Sequence, residues 1–318
     1  MIQENKRQPK IVVIGGGTGA FGVLTGLKNY PVDLTAVISM ADDGGSTGVL
    51  REEFGILPPG DIRRALVAMS HSDNQLMAEL FNYRFGQGGL KDHNFGNIML
   101  TALERMTGNF EMAVERAGHV LGVKGSILPV TLDNVRLAAE LEDGSVVNGE
   151  SNIDVPRHDG SKKIKKVFLK PEGKINPRAK KAVLEADLIV FGPGDLYTSV
   201  VPNLLIKGMR EAVSRSKATK VYIINIMTKW GETNGFAADN FINTIEMYLG
   251  KSKLDYAILN TKKPSIARLK KYEKEGAEFV ETKAIMKKPT LIMGNFLRSS
   301  GFVRHDPDSL AKTIISLI

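Results

Sequence analysis

The most constraining feature is a β-branched run that passes straight into glycines. Lys10-Ile11-Val12-Val13-Ile14 is followed directly by Gly15-Gly16-Gly17-Thr18-Gly19. A short, continuous run of this kind reads as a strand buried on both faces of a parallel sheet. Glycines behind it permit positive φ and close approach of the backbone to an anion. Phe21, Leu24 and Leu27 then recur at helical spacing. The pattern repeats at once: Leu34–Met40 reads as a second strand and ends in Ala41-Asp42-Asp43-Gly44-Gly45-Ser46-Thr47-Gly48. Strand, glycine loop, helix, strand, glycine loop is the opening of a Rossmann-like, doubly wound, mainly parallel α/β sheet.

Further along, Pro58-Pro59-Gly60-Asp61 reads as a helix start with Asp61 as N-cap, ahead of Ile62, Leu66 and Met69. Helical patterns continue to about Val120, interrupted by His93-Asn94-Phe95-Gly96-Asn97. Residues 126–170 alternate apolar and polar, with Asp143-Gly144 between Val135–Leu141 and Val146–Gly149. That is the signature of an antiparallel β-hairpin insert. The α/β pattern then returns. Leu188–Phe191 runs into Gly192-Pro193-Gly194-Asp195, a helix is expected over Val201–Ser214, and strands follow at Val221–Ile226 and Tyr256–Leu259, with a helix over Ala238–Leu249 between them. The expected organisation is one domain over residues 1–318 carrying the insert at about 126–170.

Three glycine loops each follow an apolar run. Ligands of open α/β sheets bind outside the carboxyl ends of the strands, so these loops should converge on one phosphate-type ligand. Gly15-Gly16-Gly17-Thr18-Gly19-Ala20 fits G-x-G-x-x-[GA], which a nicotinamide dinucleotide or another phosphate ligand would satisfy. A second glycine loop beside the first favours a larger phosphate pocket over a single ribose-binding acid. No Walker lysine is present, which argues against a P-loop NTPase. Asp42 and Asp43 are candidate magnesium ligands, because that cation prefers one or two carboxylates together with phosphate oxygens; turn chemistry is the plainer role for an Asp before Gly. Trp230, the only tryptophan, could stack on a base or sugar or anchor its loop, and anchoring is the favoured reading.

Composition removes other classes. The chain of 318 residues has no cysteine, which excludes disulfides, thiolate zinc and a cysteine nucleophile. No His-Glu-x-x-His and no Gly-x-Ser-x-Gly occurs. The net charge of +8 gathers in runs such as Lys162–Lys166, Arg178–Lys181, Lys270-Lys271 and Lys287-Lys288, and aromatics at 7% do not interleave with them. Nucleic acid is therefore a poor partner, and solvated surface the plain reading. The opening Met1–Lys10 lacks the apolar run of a secretion signal, and no segment is long enough for a membrane span, so a cytoplasmic location is expected.

The motifs Ile14–Gly19, Asp42–Gly48, Pro59-Gly60-Asp61-Ile62-Arg63, His93–Asn97, Gly192-Pro193-Gly194 with Leu196–Ser199, and Gly231-Glu232-Thr233 occur in one order along the chain. Together the chain resembles the YvcK-type gluconeogenesis factors, a group related to 2-phospho-L-lactate transferase (CofD), over about residues 10–306. The resemblance implies a protein that binds nucleotide sugars such as UDP-glucose and UDP-N-acetylglucosamine and serves cell shape and wall synthesis on gluconeogenic carbon. It leaves room for protein partners in wall synthesis and for a homo-oligomer. The alternative it implies is a magnesium-dependent phosphotransferase of the CofD kind. An oxidoreductase and a nucleic-acid-binding protein rank below both.

Carried over residue by residue, ligand contact falls to Gly16, Gly17, Thr18, Asp43, Gly44, Ser46, Asn97, Gly192, Gly194, Ser199 and Asn225, and further to Asn260, Tyr272 and Arg304. No catalytic residue is implied. The chain departs from the group's pattern at Asp195, where serine is usual, at Lys229-Trp230, where Gln-Pro is usual, and at Asp92 and Asn94 around His93. An aspartate in a phosphate loop needs a cation, so magnesium or Lys229 is expected to face Asp195, or else its side chain points away from the ligand.

Overall fold

The computed structural model describes residues 7–282 and 288–318. Met1–Lys6 of the opening segment and Lys287 of the last basic pair lie outside them. Ten strands occur among the described residues: β1 Lys10–Gly15, β2 Asp33–Ile38, β3 Ser126–Pro129, β4 Arg136–Leu141, β5 Val146–Asn148, β6 Ile164–Lys170, β7 Leu188–Phe191, β8 Thr219–Ile223, β9 Tyr256–Asn260 and β10 Thr290–Gly294. Seven of them form one sheet in the order β10-β9-β8-β7-β1-β2-β3, and every pairing is parallel. The other three make a small antiparallel sheet, β5-β4-β6.

The fold is the expected doubly wound α/β sheet with an antiparallel insert. β-Branched residues serve the middle of the sheet because both of its faces are covered by helices. Ile11, Val13, Ile14, Ile189, Val190 and Phe191 are wholly buried. From β1 the chain winds outward through β2 to β3, then returns to the other side of β1 at β7 and winds outward to β10. The crevice of such a sheet opens where the winding direction reverses, between β1 and β7. Register makes the crevice level: Ile14 pairs with Val37 on one side and Phe191 on the other. The loops after β1, β2 and β7 thus leave the sheet at the same height.

Three helices start at this edge: α1 Gly17–Leu27, α2 Gly45–Phe54 and α3 Pro59–Met69. Above it lies a satellite core of Ile226, Met227 and Val303, packed with Leu269, Tyr272, Phe279 and Leu297 and separate from the main core.

Several local expectations change. Ser126–Pro129 is not part of the insert but the edge strand β3 of the main sheet, paired with β2; its short apolar run simply abuts the alternating segment. The helix expected over Val201–Ser214 is broken. A π-turn at Leu196–Val200 precedes a helix at Val201–Leu205, and a second helix begins at Met209. The break arises because Lys207 turns its backbone outward to the 173–175 segment, donating to Gly173 O at 2.9 Å and accepting from Ile175 N at 3.0 Å. β10 escaped notice because it is an edge strand, with Leu291 and Ile292 only half-buried. Asp61 is not an N-cap; Pro58 occupies that place and the aspartate lies inside the first turn.

Candidate functional site

The loops after β1, β2, β7, β8 and β10 contribute to one cleft of about 780 Å³. Gly17, Gly44 and Gly194 all line it, so the three glycine loops meet at a common rim. The approach is close. Gly17, at φ +62°, lies where a Cβ would meet Ser199 Oγ at 3.2 Å. A side chain at Gly19 would collide with the carbonyl oxygen of Pro193 and come within 2.7 Å of Gly194 N. Glycine is required there for contact between two loops and not for a turn.

Neither α1 nor α2 has a side-chain cap, and both have glycine at the N-cap. Their first-turn amides therefore point into the cleft, where the helix dipole also favours negative charge. One of them is already used. Asp61 accepts from the Gly17 amide, is largely buried in the cleft wall, and is pushed up to about 6 by burial and by Asp42. The displacement of Asp61 from the N-cap role follows from this bond.

The α2 rim is held by a buried polar network. Ser46 Oγ lies 3.2 Å from His93 Nδ1 and accepts from Asn97 Nδ2 at 3.3 Å. Asn97 Oδ1 in turn accepts from Arg63 Nε at 3.1 Å. Asn94 caps the helix Phe95–Thr107 through Gly96 N. Arg51, also buried, ties the loop after β2 to the root of the insert by donating to Asp42 O at 2.7 Å, Asn134 Oδ1 at 2.6 Å and Val135 O at 2.8 Å. Burial lowers both guanidinium groups to about 10.

The third loop differs from its sequence reading as an open anion cradle. The amide of Tyr197 and the hydroxyl of Thr198 donate to the carboxylate of Glu232, at 3.1 and 3.2 Å. Glu232 is fully enclosed, and burial, then Asp195, push it up to about 8. The protein supplies this turn with its own carboxyl group, leaving Gly194 and Ser199 to face the cleft. Asp195 meets its expected cation: Lys229 Nζ donates to Asp195 Oδ2 at 2.9 Å, also bonds Asp154 of the insert, and lies 3.6 Å from Glu232. Asp154, Asp195 and Glu232 lie close enough to one another to hold a metal ion, but the lysine ammonium is already among them. Trp230 anchors its loop, its indole lying against Gly160 and Gly276.

Of the residues expected to touch a ligand, Gly17, Thr18, Gly44, Ser46 and Asn97 line the cleft on one side, and Gly194, Ser199, Asn225, Tyr272 and Arg304 on the other. Four do not line it. Gly16 is the N-cap of α1 and leaves no room for a Cβ, which would stand 2.5 Å from Asp61 Oδ2. Gly192 turns the chain at φ +71°. Asn260 is buried and joins two loops, accepting from Phe296 N at 3.0 Å and donating to Lys262 O at 2.9 Å. Asp43 accepts the amides of Glu150 and Ser151 at 3.2 and 2.9 Å, so it holds the short helix Glu150–Asp154 of the insert over the cleft.

That bond separates the two candidate magnesium ligands. Asp42 lines the cleft; Asp43 faces the insert. The acids beside Asp42 are Asp61 and Glu150, both in the cleft wall, with Glu150 pushed up to about 10 by burial and by the surrounding carboxylates. Carboxylate oxygens are the donors magnesium prefers, but among the described residues the group of acids that lie close enough together to hold one ion is Asp154, Asp195 and Glu232. Glu150 and His305 carried no signal in the sequence, and Arg63 and Glu232 stood there only inside the motifs Pro59–Arg63 and Gly231–Thr233, because each acts through a partner distant along the chain. His305 is enclosed, held by the Ile224 backbone and pushed down to about 4, so it is a neutral acceptor at the cleft wall.

Residues 11–294 match the model of the family described as 2-phospho-L-lactate transferase CofD. The gluconeogenesis factor of Listeria innocua is 42% identical over 100% of this chain and 98% of that protein. That of Halalkalibacterium halodurans is 44% identical over 86% of this chain and 84% of its own length. A crystal structure of a UPF0052 family member from Bacillus halodurans is 39% identical, covers 98% of this chain and 100% of its own, and superposes with a TM-score of 0.92. The chain thus belongs to the CofD family, on the branch shared with the gluconeogenesis factors.

Proposed function

We propose that the cleft binds a nucleotide sugar, with UDP-glucose and UDP-N-acetylglucosamine as first candidates, and that the protein acts by that binding as a gluconeogenesis factor in the cytoplasm. The observation that carries the reading is the meeting of Gly17, Gly44 and Gly194 at one rim lined by uncapped helix starts. Backbone amides and a helix dipole bind a diphosphate without needing a base or a nucleophile. In this reading Gly17, Thr18, Gly194 and Ser199 hold the diphosphate, and Asn225, Tyr272 and Arg304 face the nucleoside or sugar. The names of the relatives agree with a role in growth on gluconeogenic carbon, where control of wall precursors and cell shape would follow from sensing a nucleotide sugar. Isothermal titration with UDP-N-acetylglucosamine tests it; saturable heat is expected, and none at millimolar ligand overturns it.

A second reading has its own observation. The carboxylates of Asp42, Asp61 and Glu150 stand beside the phosphate loops, and the family description is that of a transferase. In a magnesium-dependent transfer of a phosphorus-containing group, these acids would hold the cation. Magnesium would neutralise charge on the phosphates, while the chain's own contribution is to orient the diphosphate on the amides of α1 and the Gly194 loop. Release of nucleoside monophosphate from a nucleoside-diphosphate donor, measured with magnesium and an acceptor, separates this reading from the first.

A further inference from the structure

Arg63 is a buried charge without a counter-ion of its own. It is 6% exposed. Its Nε donates to Asn97 Oδ1 at 3.1 Å, and its Nη1 to Asn82 Oδ1 at 2.6 Å and Phe81 O at 3.4 Å. All three acceptors are neutral. They fix the guanidinium in place but cancel none of its charge. Among the described residues Nη2 has no partner, and Arg63 lines the cleft. Among the described residues, no carboxylate lies within ion-pair distance of it; Asp61 and Asp42 act on it only at longer range. Burying an unpaired ion is costly, so a guanidinium held rigid, enclosed and unpaired points to an anion that arrives from outside.

Its neighbours agree. Arg64 and Arg84 stand close enough to depress the Arg63 guanidinium further, beyond the effect of burial. Arg64 is spent on Asp61 at 3.1 Å, whereas Arg84, among the described residues, is bonded only to a backbone carbonyl, Asp92 O at 2.6 Å. Both line the same end of the cleft, and so does the uncapped first turn of α2, Gly45–Thr47. Positive groups thus converge on one place from α2, from α3 and from the 83–94 loop. Convergence from several directions suits a tetrahedral group with three free oxygens better than a planar carboxylate.

We propose that Arg63, Arg84 and the first turn of α2 form a second anion subsite that takes a terminal phosphate. This site lies on the β2 side of the cleft, across β1 from the Gly194–Ser199 rim. It does not depend on the nucleotide-sugar reading. In the binding reading its occupant is a phosphorylated small molecule sensed together with the nucleotide. Inorganic phosphate and the monoester of such a molecule present the same chemistry, and the two sources separate by experiment.

The test titrates the full-length protein with inorganic phosphate and with glycerol 3-phosphate, using glycerol as the blank. Each titration is repeated with UDP-N-acetylglucosamine at saturation. Saturable binding of either phosphate, retained beside the nucleotide sugar, supports the subsite, and comparison of the two identifies the source. Arg84→Gln, on an exposed side chain, keeps the fold and weakens phosphate at least tenfold while leaving the nucleotide sugar within twofold. Arg63→Met removes phosphate binding; its melting temperature and its retained heat with the nucleotide sugar show that it has folded. No binding of either phosphate, binding indifferent to both arginines, or full competition with the nucleotide sugar overturns the proposal. Absent heat with the nucleotide sugar alone would remove that reading and leave the phosphate arm to decide this one.

Discussion

Lys229 offers the sharpest test of how this cleft is held together. Its ammonium bonds Asp154 and Asp195 and lies 3.6 Å from Glu232. Asp154 belongs to the insert, Asp195 to the loop after β7, and Lys229 and Glu232 to the loop after β8, so one cation joins three segments. Lys229→Met keeps the length of the stem and removes the charge. Three carboxylates are then left together, one of them with a side chain 0% exposed. Removing one partner of a fully buried pair costs about 3–5 kcal/mol. Here the lysine side chain is 28% exposed and those of Asp154 and Asp195 are 32% and 38% exposed. Water screens part of the loss, and a cost of about 2–4 kcal/mol is expected near pH 8.

The pH dependence distinguishes electrostatics from lost packing. Glu232 and Asp154 are already raised by burial, and Lys229 opposes that rise. Without the lysine they climb further above their unfolded values. A carboxyl group raised in the folded state makes the native form bind protons that the unfolded form does not. Stability of Lys229→Met must therefore improve as pH falls from about 8 to about 5, by up to ~1.4 kcal/mol per pH unit for each proton taken up. Urea unfolding of both proteins across that range reads the gap directly. It should narrow toward acid, and Asp195→Ser in the Lys229→Met background should recover about 1 kcal/mol at the alkaline end. A gap that stays constant, or widens toward acid, refutes the reasoning.

Three further outcomes are expected. Gly19→Ala drives a methyl group into Pro193 and parts the two glycine loops; it should cost roughly 1–3 kcal/mol by thermal melting and abolish ligand heat in a protein that still folds. Asp61, at about 6 against an ordinary 3.8, lowers stability as pH rises through that interval; Asp61→Asn, which retains an acceptor oxygen for Gly17, should flatten this part of the stability profile, and an unchanged slope would exclude Asp61 as its source. If Asp42, Asp61 and Glu150 hold a divalent cation, magnesium should raise the melting temperature of the native protein and not of Asp42→Asn; equal shifts in both would exclude Asp42 as a ligand.

The sheet was legible because its information is local. A strand buried on both faces must be apolar at every position, and Lys10–Ile14 and Leu188–Phe191 show that without reference to any neighbour. The first glycine loop was legible for the same reason at Gly17, whose positive φ is a demand of the backbone itself, whereas glycine at Gly19 serves the approach of the Pro193 loop. The Asp143-Gly144 turn fixed the β4–β5 hairpin from two residues. Where the signal was relative, the reading slipped. β3 sits at a sheet edge and merges with the alternating insert that follows it, and β10 covers only one side of β9. The break before Met209 depends on a backbone partner more than thirty residues earlier, Gly173.

Side-chain roles divide along the same line. Asp42 and Asp43 are adjacent and alike in sequence, yet one lines the cleft and the other holds the insert. The choice is made by Glu150 and Ser151, whose amides have no cap of their own. The loop after β7 resembles the loops after β1 and β2 in its glycines, but its first-turn donors are spent on Glu232. Glycine pattern therefore reports where an anion can sit and says nothing of whether the protein has already placed one there. Arg63 is the converse case. Its acceptors are neutral and its charge is left unbalanced, so the anion subsite proposed beside α2 rests on a residue whose charge the glycine pattern does not report. The occupant of each cradle is set by charge balance over residues far apart in the chain, and that balance exists only once the sheet has brought the loops together.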